Sequence, residues 1–233
     1  MSAVPEPLVP RSSDIERVRS FSPFRRAGAA DLDRLFAEAR VFELDKRQTV
    51  FVAGHPARLL FLLLQGQVKV FTASKRGRES TLRVLQGGPH MVFPAVPGQP
   101  TYTVSCETVR PSRLLAFPLE RVGESLMNSP HMAEDLIAEL AGIQDEVGRH
   151  LADLKGRTSL QRLAGFLSSL TSVINGAAVV NLPVSKMVLA SMMGVVPEKL
   201  SRDFAKLATV GVSTKRSTVS IRDVARLREI YSG

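Results

Sequence analysis

The chain of 233 residues is long enough for two ordinary domains, and its 44% of hydrophobic residues allow a packed core, which excludes disorder as the default state. A single cysteine, Cys106, excludes a disulfide framework and any CxxC metal or cluster site, and no apolar run of about eighteen residues is present to span a bilayer. A reducing, cytoplasmic location is therefore expected.

The net charge of +9 is concentrated at one end of the chain. Residues 155–233 hold twelve basic and four acidic residues, while the rest of the chain is close to neutral. This segregation indicates a polyanion-binding module attached to a neutral domain; the alternative is a solvated basic face without a partner.

The N-terminal part predicts a short helical entry and then a β-rich domain. Residues 14–40 carry apolar side chains at helical spacing, and from about Val41 the pattern changes to short β-type runs. The candidate strands are 50–52, 59–64, 68–71, 82–85, 102–105 and 114–117. Glycines separate them about every ten to twelve residues, at Gly54, Gly66, Gly77, Gly87 and Gly98. Many short strands at this spacing are typical of a sandwich or barrel rather than of alternating βαβ units.

A long amphipathic helix is predicted over residues 129–155. Ser129 is a suitable N-cap, and Pro130 suits the first turn, where a missing N–H costs nothing. Apolar residues then recur at steps of three and four: Met132, Leu136, Leu140, Ile143, Val147, Leu151 and Leu154. This narrow stripe is longer than a small barrel is wide, so we expect it to form a dimer interface with its symmetry mate. The alternative is a helix that lies on its own barrel.

The C-terminal part predicts three helices, a two-stranded wing and a final helix. Helical patterns cover 159–173, 185–193 and 197–207; a β-rich stretch covers 212–221, and a final helix covers 224–230. Within this order, Ser185 is a plausible N-cap, Gly194 permits a tight turn, and Pro197 opens the next helix. This spacing is that of a helix-turn-helix, whose second helix lies in the DNA major groove.

The second of these helices presents a polar face near its N-terminus. Glu198, Ser201 and Arg202 are three and four residues apart and therefore share that face. Arginine can donate a bidentate fork to guanine, a carboxylate can accept from cytosine, and serine can do either, so we predict base contacts by these three residues. The alternative for Glu198 and Arg202 is an ordinary surface ion pair. The predicted contacts to the DNA backbone are Ser185, Lys186, Lys199, Lys206, Lys215 and Arg216.

The chain resembles the CRP/FNR transcription regulators (cyclic-AMP receptor protein and fumarate–nitrate regulator). The segment Glu198-Lys199-Leu200-Ser201-Arg202 is similar to the family's E-x-x-S-R recognition signature, and residues 182–186 with Pro197-Glu198 look most similar to the dissimilatory-nitrate-respiration branch. The resemblance implies an α+β protein with an N-terminal double-stranded β-helix (jelly-roll, cupin-like) sensor domain over 1–128, a dimerisation helix over 129–155 and a winged helix-turn-helix over 156–233. It also implies a homodimer that binds a TTGAT-type inverted repeat in double-stranded DNA, with RNA polymerase as a partner.

Two positions depart from the family's DNA-binding pattern. Asp203 stands where the motif is usually apolar, so its carboxylate must reach water or a basic neighbour. The predicted wing turn at Lys215-Arg216 lacks the glycine that a tight hairpin prefers. Both departures are expected to weaken or retune DNA binding.

The predicted sensor domain lacks the family's cyclic-nucleotide cassette. Met91 stands near the place of the ribose-binding glutamate, and Thr101 stands at the place of the phosphate-binding arginine. An anionic phosphate would be desolvated there without a charged partner, so cyclic AMP is not expected as a ligand. One cysteine cannot hold an iron–sulfur cluster. Haem is possible, because the resembling branch contains haem-dependent nitric oxide sensors.

The candidate effector pocket consists of His90, Met91 and Cys106, with Val92 and Phe93 as further apolar lining. His90 could ligate haem, although a lone histidine is more often a surface or turn residue. Cys106 could sense an effector or be a small buried side chain.

A module whose winged helix binds protein instead of DNA is the second hypothesis for the function of the chain. No catalytic spacing of the Ser/His/Asp, HExxH or GxxxxGK[ST] type is present, so an enzyme is not expected.

Overall fold

The computed structural model describes residues 6–75, 77–92 and 95–233. Contacts divide the chain into two compact units, one up to Asp145 and one from Glu146 onward, and the division falls inside a long helix. Among the described residues, no helix is both long and apolar enough to cross a membrane.

The N-terminal unit is an antiparallel β-structure with helices before and after it. Its helices are α1 (Ser12–Arg19), α2 (Ala29–Ala37) and α3 (Leu119–Asn128). Its strands are β1 (Arg40–Leu44), β2 (Thr49–Phe51), β3 (Leu59–Ala73), β4 (Glu79–Gln86), β5 (His90–Met91) and β6 (Ser105–Pro118). The sheet runs in the order β1-β6-β3-β4, with β2 on β6 and β5 on β3. The predicted β-rich domain is confirmed, whereas β1, β5 and α3 were not specified by the sequence patterns.

Strand β3 joins two runs that the sequence separates at Gly66. Gly66 has a φ of 99°, and a Cβ there would lie 2.4 Å from the carbonyl oxygen of Pro111 on β6. Its missing side chain lets β6 pass closely, and the register shifts on both sides of it. The glycine therefore marks a bulge within one strand rather than a turn between two.

The strand predicted over 102–105 was wrong, because pairing begins only at Ser105. The backbone of Tyr102 is bound to a neighbouring loop instead: its N–H donates to His55, and its carbonyl accepts from Gly54. Its phenol donates to the carbonyl of Leu59 at 2.8 Å. These bonds use the groups that a strand ladder would need.

Helix α4 (Pro130–Gly156) occupies the place of the predicted long helix. The Ser129 hydroxyl accepts from the N–H of Met132 at 3.4 Å, as its N-cap position predicts. Met132 and Leu136 belong to the hydrophobic core of the N-terminal unit, and Leu140 packs against that core. For the first turns of α4, the alternative interpretation is therefore correct: the helix lies on its own barrel, and Met132 and Leu136 are not available to a partner.

The C-terminal unit combines helices with a small sheet. Its helices are α5 (Ser159–Ser169), α6 (Lys186–Met192), α7 (Pro197–Ala208) and α8 (Val224–Ser232). Its strands are β7 (Ala178–Asn181), β8 (Val212–Lys215) and β9 (Thr218–Ile221), in the order β7-β9-β8. The hairpin of β8 and β9 is the predicted two-stranded wing, and β7 adds a third strand that the sequence patterns did not reveal. Helix α5 ends at Ser169, four residues before the predicted end.

Candidate nucleic-acid interface

Helices α6 and α7 form the predicted helix-turn-helix. The hydroxyl of Ser185 caps α6 by accepting from the N–H of Val188 at 3.3 Å, and Pro197 is the first residue of α7. Gly194 lies between them with a φ of 65°, a conformation that glycine adopts without strain. Ala190 is fully buried, and its carbonyl accepts from the N–H of Val195 at 3.0 Å. A small residue and a permissive one therefore let the two helices cross closely.

Arg162 on α5 binds the backbone beside this turn, a role that the sequence patterns did not reveal. Its Nη2 donates to the carbonyl of Met193 at 2.6 Å, and its Nη1 donates to the carbonyl of Arg157. Burial lowers the pKa of the Arg162 guanidinium, while Asp153 and Asp203 oppose that shift. A half-buried arginine therefore holds the last carbonyl before the turn.

The three predicted base-reading side chains are all exposed on α7. The Ser201 hydroxyl donates to the carbonyl of Pro197 at 3.0 Å, and Nε of Arg202 lies 3.5 Å from the carbonyl of Glu198. Within the described part of the chain, neither Glu198 nor Arg202 forms an ion pair. The alternative interpretation of these two as a surface pair therefore has no support in the geometry, and both charges face solvent.

The predicted phosphate contacts differ in how free their charges are. Lys206, Lys215 and Arg216 are exposed, and Arg216 has a φ of 57° in the turn between β8 and β9. An arginine in this left-handed conformation costs about 1 kcal/mol or more relative to glycine, which is the physical meaning of the missing turn glycine. Lys186 is also exposed, with its ammonium 5.1 Å from the centre of the Phe204 ring.

Lys199 is the exception among the predicted phosphate contacts. Its ammonium pairs with the carboxylate of Asp203, one helical turn away, and Asp203 has 0% of its surface exposed. The second carboxylate oxygen of Asp203 accepts from the hydroxyl of Ser159 at 2.6 Å. The expectation that Asp203 must reach a basic neighbour is confirmed, and Lys199 differs from the other predicted phosphate contacts because its charge is paired with a carboxylate of the same helix.

The structure does not bring His90, Met91 and Cys106 together. Met91 pairs with Leu62 on β3, and Cys106 pairs with Val70, eight residues further along that strand, or about 26 Å of extended chain. Both side chains are buried in the core. Burial raises the pKa of the Cys106 thiol, with Glu107 adding to the shift, so the reactive thiolate is disfavoured.

His90 is half-buried, and its Nε2 lies 3.1 Å from the carbonyl oxygen of Gln86. Phe93, named with His90 as pocket lining, lies outside the described residues.

A pocket of about 360 Å³ in the N-terminal unit has a different lining. Phe51 stacks on Tyr102 at a centroid distance of 4.4 Å and on Phe61 at 5.7 Å, while His55 and Arg58 stand among the polar lining residues. Burial raises the pKa of the Tyr102 phenol, so it stays protonated as a donor. The aromatic residues were individually unremarkable in sequence, because only the paired strands bring them together.

Comparison with known proteins matches both units. A model of the cyclic nucleotide-binding domain matches residues 41–129, and a model of the Crp-like helix-turn-helix domain matches residues 161–230. The chain belongs to the CRP/FNR family of transcription regulators.

The relatives of this CRP/FNR regulator are distant in sequence. It is 25% identical over 195 residues to a CRP-like cAMP-activated global transcriptional regulator of Mycobacterium tuberculosis, covering 79% of this chain and 85% of that one. It is 24% identical to the global nitrogen regulator of Synechococcus elongatus, covering 84% and 90%. The structure of FixK2 from Bradyrhizobium japonicum matches with a TM-score of 0.71 at 21% identity, covering 82% and 96%. The CRP/FNR regulator thus has a cyclic-nucleotide-binding-like domain and a DNA-binding helix-turn-helix, the organisation of a transcription regulator.

Proposed function

We propose that this regulator binds, as a homodimer, an inverted repeat whose half-site is similar to TTGAT. Arg202, Glu198 and Ser201 read base edges in the major groove, and Ser185, Lys186, Lys206, Lys215 and Arg216 hold phosphates. The observation that carries this proposal is the exposure of all three side chains on one face of α7. Among the residues that the structure describes, none forms an ion pair with Glu198 or Arg202. The positive charge of residues 155–233 supplies the attraction to the phosphates.

The proposed dimer interface is a seam on α4 that differs in its residues from the apolar stripe predicted from the sequence. Ile137 has 66% of its surface exposed and Leu151 has 49%, although both are apolar. With their neighbours on α4 they make a heptad of alternating steps of three and four: Ile137, Leu140, Gln144, Val147, Leu151 and Leu154. A repeat of this kind packs against a second helix as a coiled coil. Ile143 is buried and, like Met132 and Leu136, is left out of this seam, whereas Ile137 was missed in the sequence stripe.

We propose that the sensor domain responds to an effector other than cyclic AMP. Thr101 is half-buried where the family's arginine would stand, and it offers no positive charge to a phosphate. Haem is the specific hypothesis, with His90 as its ligand. Nε2 of His90 beside the Gln86 carbonyl matches the way in which ligating histidines use their second nitrogen, which would leave Nδ1 for iron. A Soret band that shifts with nitric oxide would support haem, and no band after reconstitution would contradict it.

The DNA-binding proposal is tested by fluorescence anisotropy with a TTGAT inverted repeat and a scrambled duplex at physiological salt. We expect tighter binding to the repeat, and equal affinities would contradict the proposal. The Arg202→Ala variant should lose about 1–3 kcal/mol of discrimination at one base pair. The Lys215→Ala variant is the matched control, because loss of a phosphate contact should weaken binding to both duplexes alike.

A further inference from the structure

We propose that Asp203 is an internal counter-ion that keeps Lys199 away from the DNA phosphates, and so sets the number of phosphate contacts that α7 makes. This inference rests on the proposed DNA binding by α7. It concerns the one lysine in the first two turns of that helix, next to the base-reading residues Glu198 and Arg202. By position alone, Lys199 would be expected to add a phosphate contact.

The carboxylate of Asp203 is enclosed on all sides by the C-terminal unit. The residue has 0% of its surface exposed, one oxygen accepts from Ser159 at 2.6 Å, and the other is paired with Lys199. Arg162 is a second cation that the carboxylate influences, but its Nη atoms are bound to backbone carbonyls. Lys199 is therefore the cation that directly compensates this buried charge.

This arrangement determines where the Lys199 ammonium resides. A buried carboxylate that loses its partner is left uncompensated in a medium of low dielectric, whereas an ammonium released from a phosphate is simply rehydrated. The side chain of Lys199 is 37% exposed, so it reaches the surface but is held at its end. We infer that the ammonium of Lys199 stays paired with Asp203 when DNA phosphates are near.

The carboxylate also connects α7 to the beginning of α5. Ser159 is the first residue of α5, immediately after the Thr158 cap, so the same side chain anchors α7 to that helix. Asp203 is thus a positioning residue: it touches no DNA and acts through Lys199 and Ser159. Its role differs from that of an apolar residue at this position, which could pack there but would leave Lys199 free.

The test is the salt dependence of binding of the full-length protein to a scrambled duplex between 50 and 200 mM salt. One phosphate contact adds about 0.9 to the slope of log affinity against log salt, or about 3.5-fold over this range. Asp203→Asn keeps an acceptor for Ser159 but removes the charge, and we expect its slope to be steeper by about 0.9. The Lys199→Met/Asp203→Asn double variant should have the wild-type slope. Lys186→Met, a matched change in an exposed lysine of α6, should be shallower by about 0.9.

Two results would overturn the inference. A double variant that is shallower than wild type by about 0.9 would show that Lys199 already contacts phosphate, and an Asp203→Asn slope equal to that of wild type would show that the carboxylate does not hold it. Thermal unfolding checks that each variant is folded. If the Lys199→Met/Asp203→Asn variant does not fold, Lys199→Met/Asp203→Leu replaces it. A wild-type slope near zero would contradict DNA binding itself, whereas a steep wild-type slope with a shallower double variant contradicts this inference alone.

Discussion

At the scale of single residues, Gly165 controls how closely α8 packs on α5. A Cβ at this position would lie 2.4 Å from the ring of Tyr231. That ring is fixed from two further sides: the phenol donates to Asp153 at 3.2 Å, and the guanidinium of Arg157 lies 4.1 Å from the ring centre. Because the ring cannot easily move, the missing side chain of Gly165 is a packing requirement rather than a requirement of backbone conformation.

We therefore expect Gly165→Ala to lower the free energy of unfolding of the C-terminal unit by about 1–3 kcal/mol, as overpacking does. Gly142→Ala is the matched control, since Gly142 lies in α4 with nothing within 4 Å of its Cβ position. That change should stabilise the protein by about 0.5–1 kcal/mol through helix propensity. Urea unfolding monitored by circular dichroism measures both, and equal effects would contradict this packing role.

At the scale of elements, ion pairs of Arg113 on strand β6 connect this strand to helix α1 and to strand β1. Arg113 on β6 donates Nε and Nη2 to the two carboxylate oxygens of Asp14, at 3.1 and 2.6 Å, and it also pairs with Glu43 on β1. Asp14 additionally accepts from the N–H of Arg11 at 2.9 Å, which caps α1. Burial opposes ionisation of Asp14, but the bonds from Arg113 and Arg11 outweigh it, so the pKa of Asp14 is lowered.

A lowered carboxyl pKa stabilises the folded state above the unfolded value near 3.8, and this stabilisation is lost as the pH falls through the folded pKa. We expect Asp14→Asn to lower the free energy of unfolding by about 1–3 kcal/mol at pH 7 and by less at pH 3. Asp33→Asn is the control, because the Asp33–Arg19 pair is exposed and should contribute below about 1 kcal/mol. Urea unfolding at both pH values decides, and a deficit that persists unchanged at pH 3 would refute the linkage.

At the scale of the whole molecule, the proposed assembly depends on α4. The first turns of this helix belong to the core of the N-terminal unit, while its later turns expose Val147, Leu151 and Leu154. Exposed apolar residues at heptad spacing are what a second copy of the same helix would cover. A dimer would then present two copies of α7 to the two halves of an inverted repeat, about 34 Å apart.

We expect Leu151→Lys to shift the protein to monomers at micromolar concentration, since two lysines would face each other in the seam. Affinity for the inverted repeat should fall by about a hundredfold or more, because the second half-site is no longer engaged in the same complex. Met127→Lys is the control: Met127 has 87% of its surface exposed on α3 and lies outside the seam. Analytical ultracentrifugation with anisotropy measures both, and a dimeric Leu151→Lys protein would contradict the seam.

The pattern of the sequence was sufficient for the features that depend on local chemistry. The cap at Ser185, the turn at Gly194, the start of α7 at Pro197 and the exposed face of Glu198, Ser201 and Arg202 follow from side-chain spacing over less than one helix-turn-helix, and the structure has them. The β-rich nature of the first domain followed likewise from short apolar runs between glycines, each of which has a positive φ.

What depended on contacts between distant residues was decided only by the tertiary structure. Periodicity shows that one face of α4 is apolar, but it does not show whether Met132 meets its own barrel or a partner. Side-chain chemistry alone grouped His90 and Met91 with Cys106, while strand pairing placed Phe51 against Tyr102 instead. Lys199 looked like any other surface lysine until the burial of Asp203 gave it a partner. The physical reason is common to all three: a residue type fixes what a side chain can do, and only the packed chain fixes which neighbour it meets and how much water remains between them.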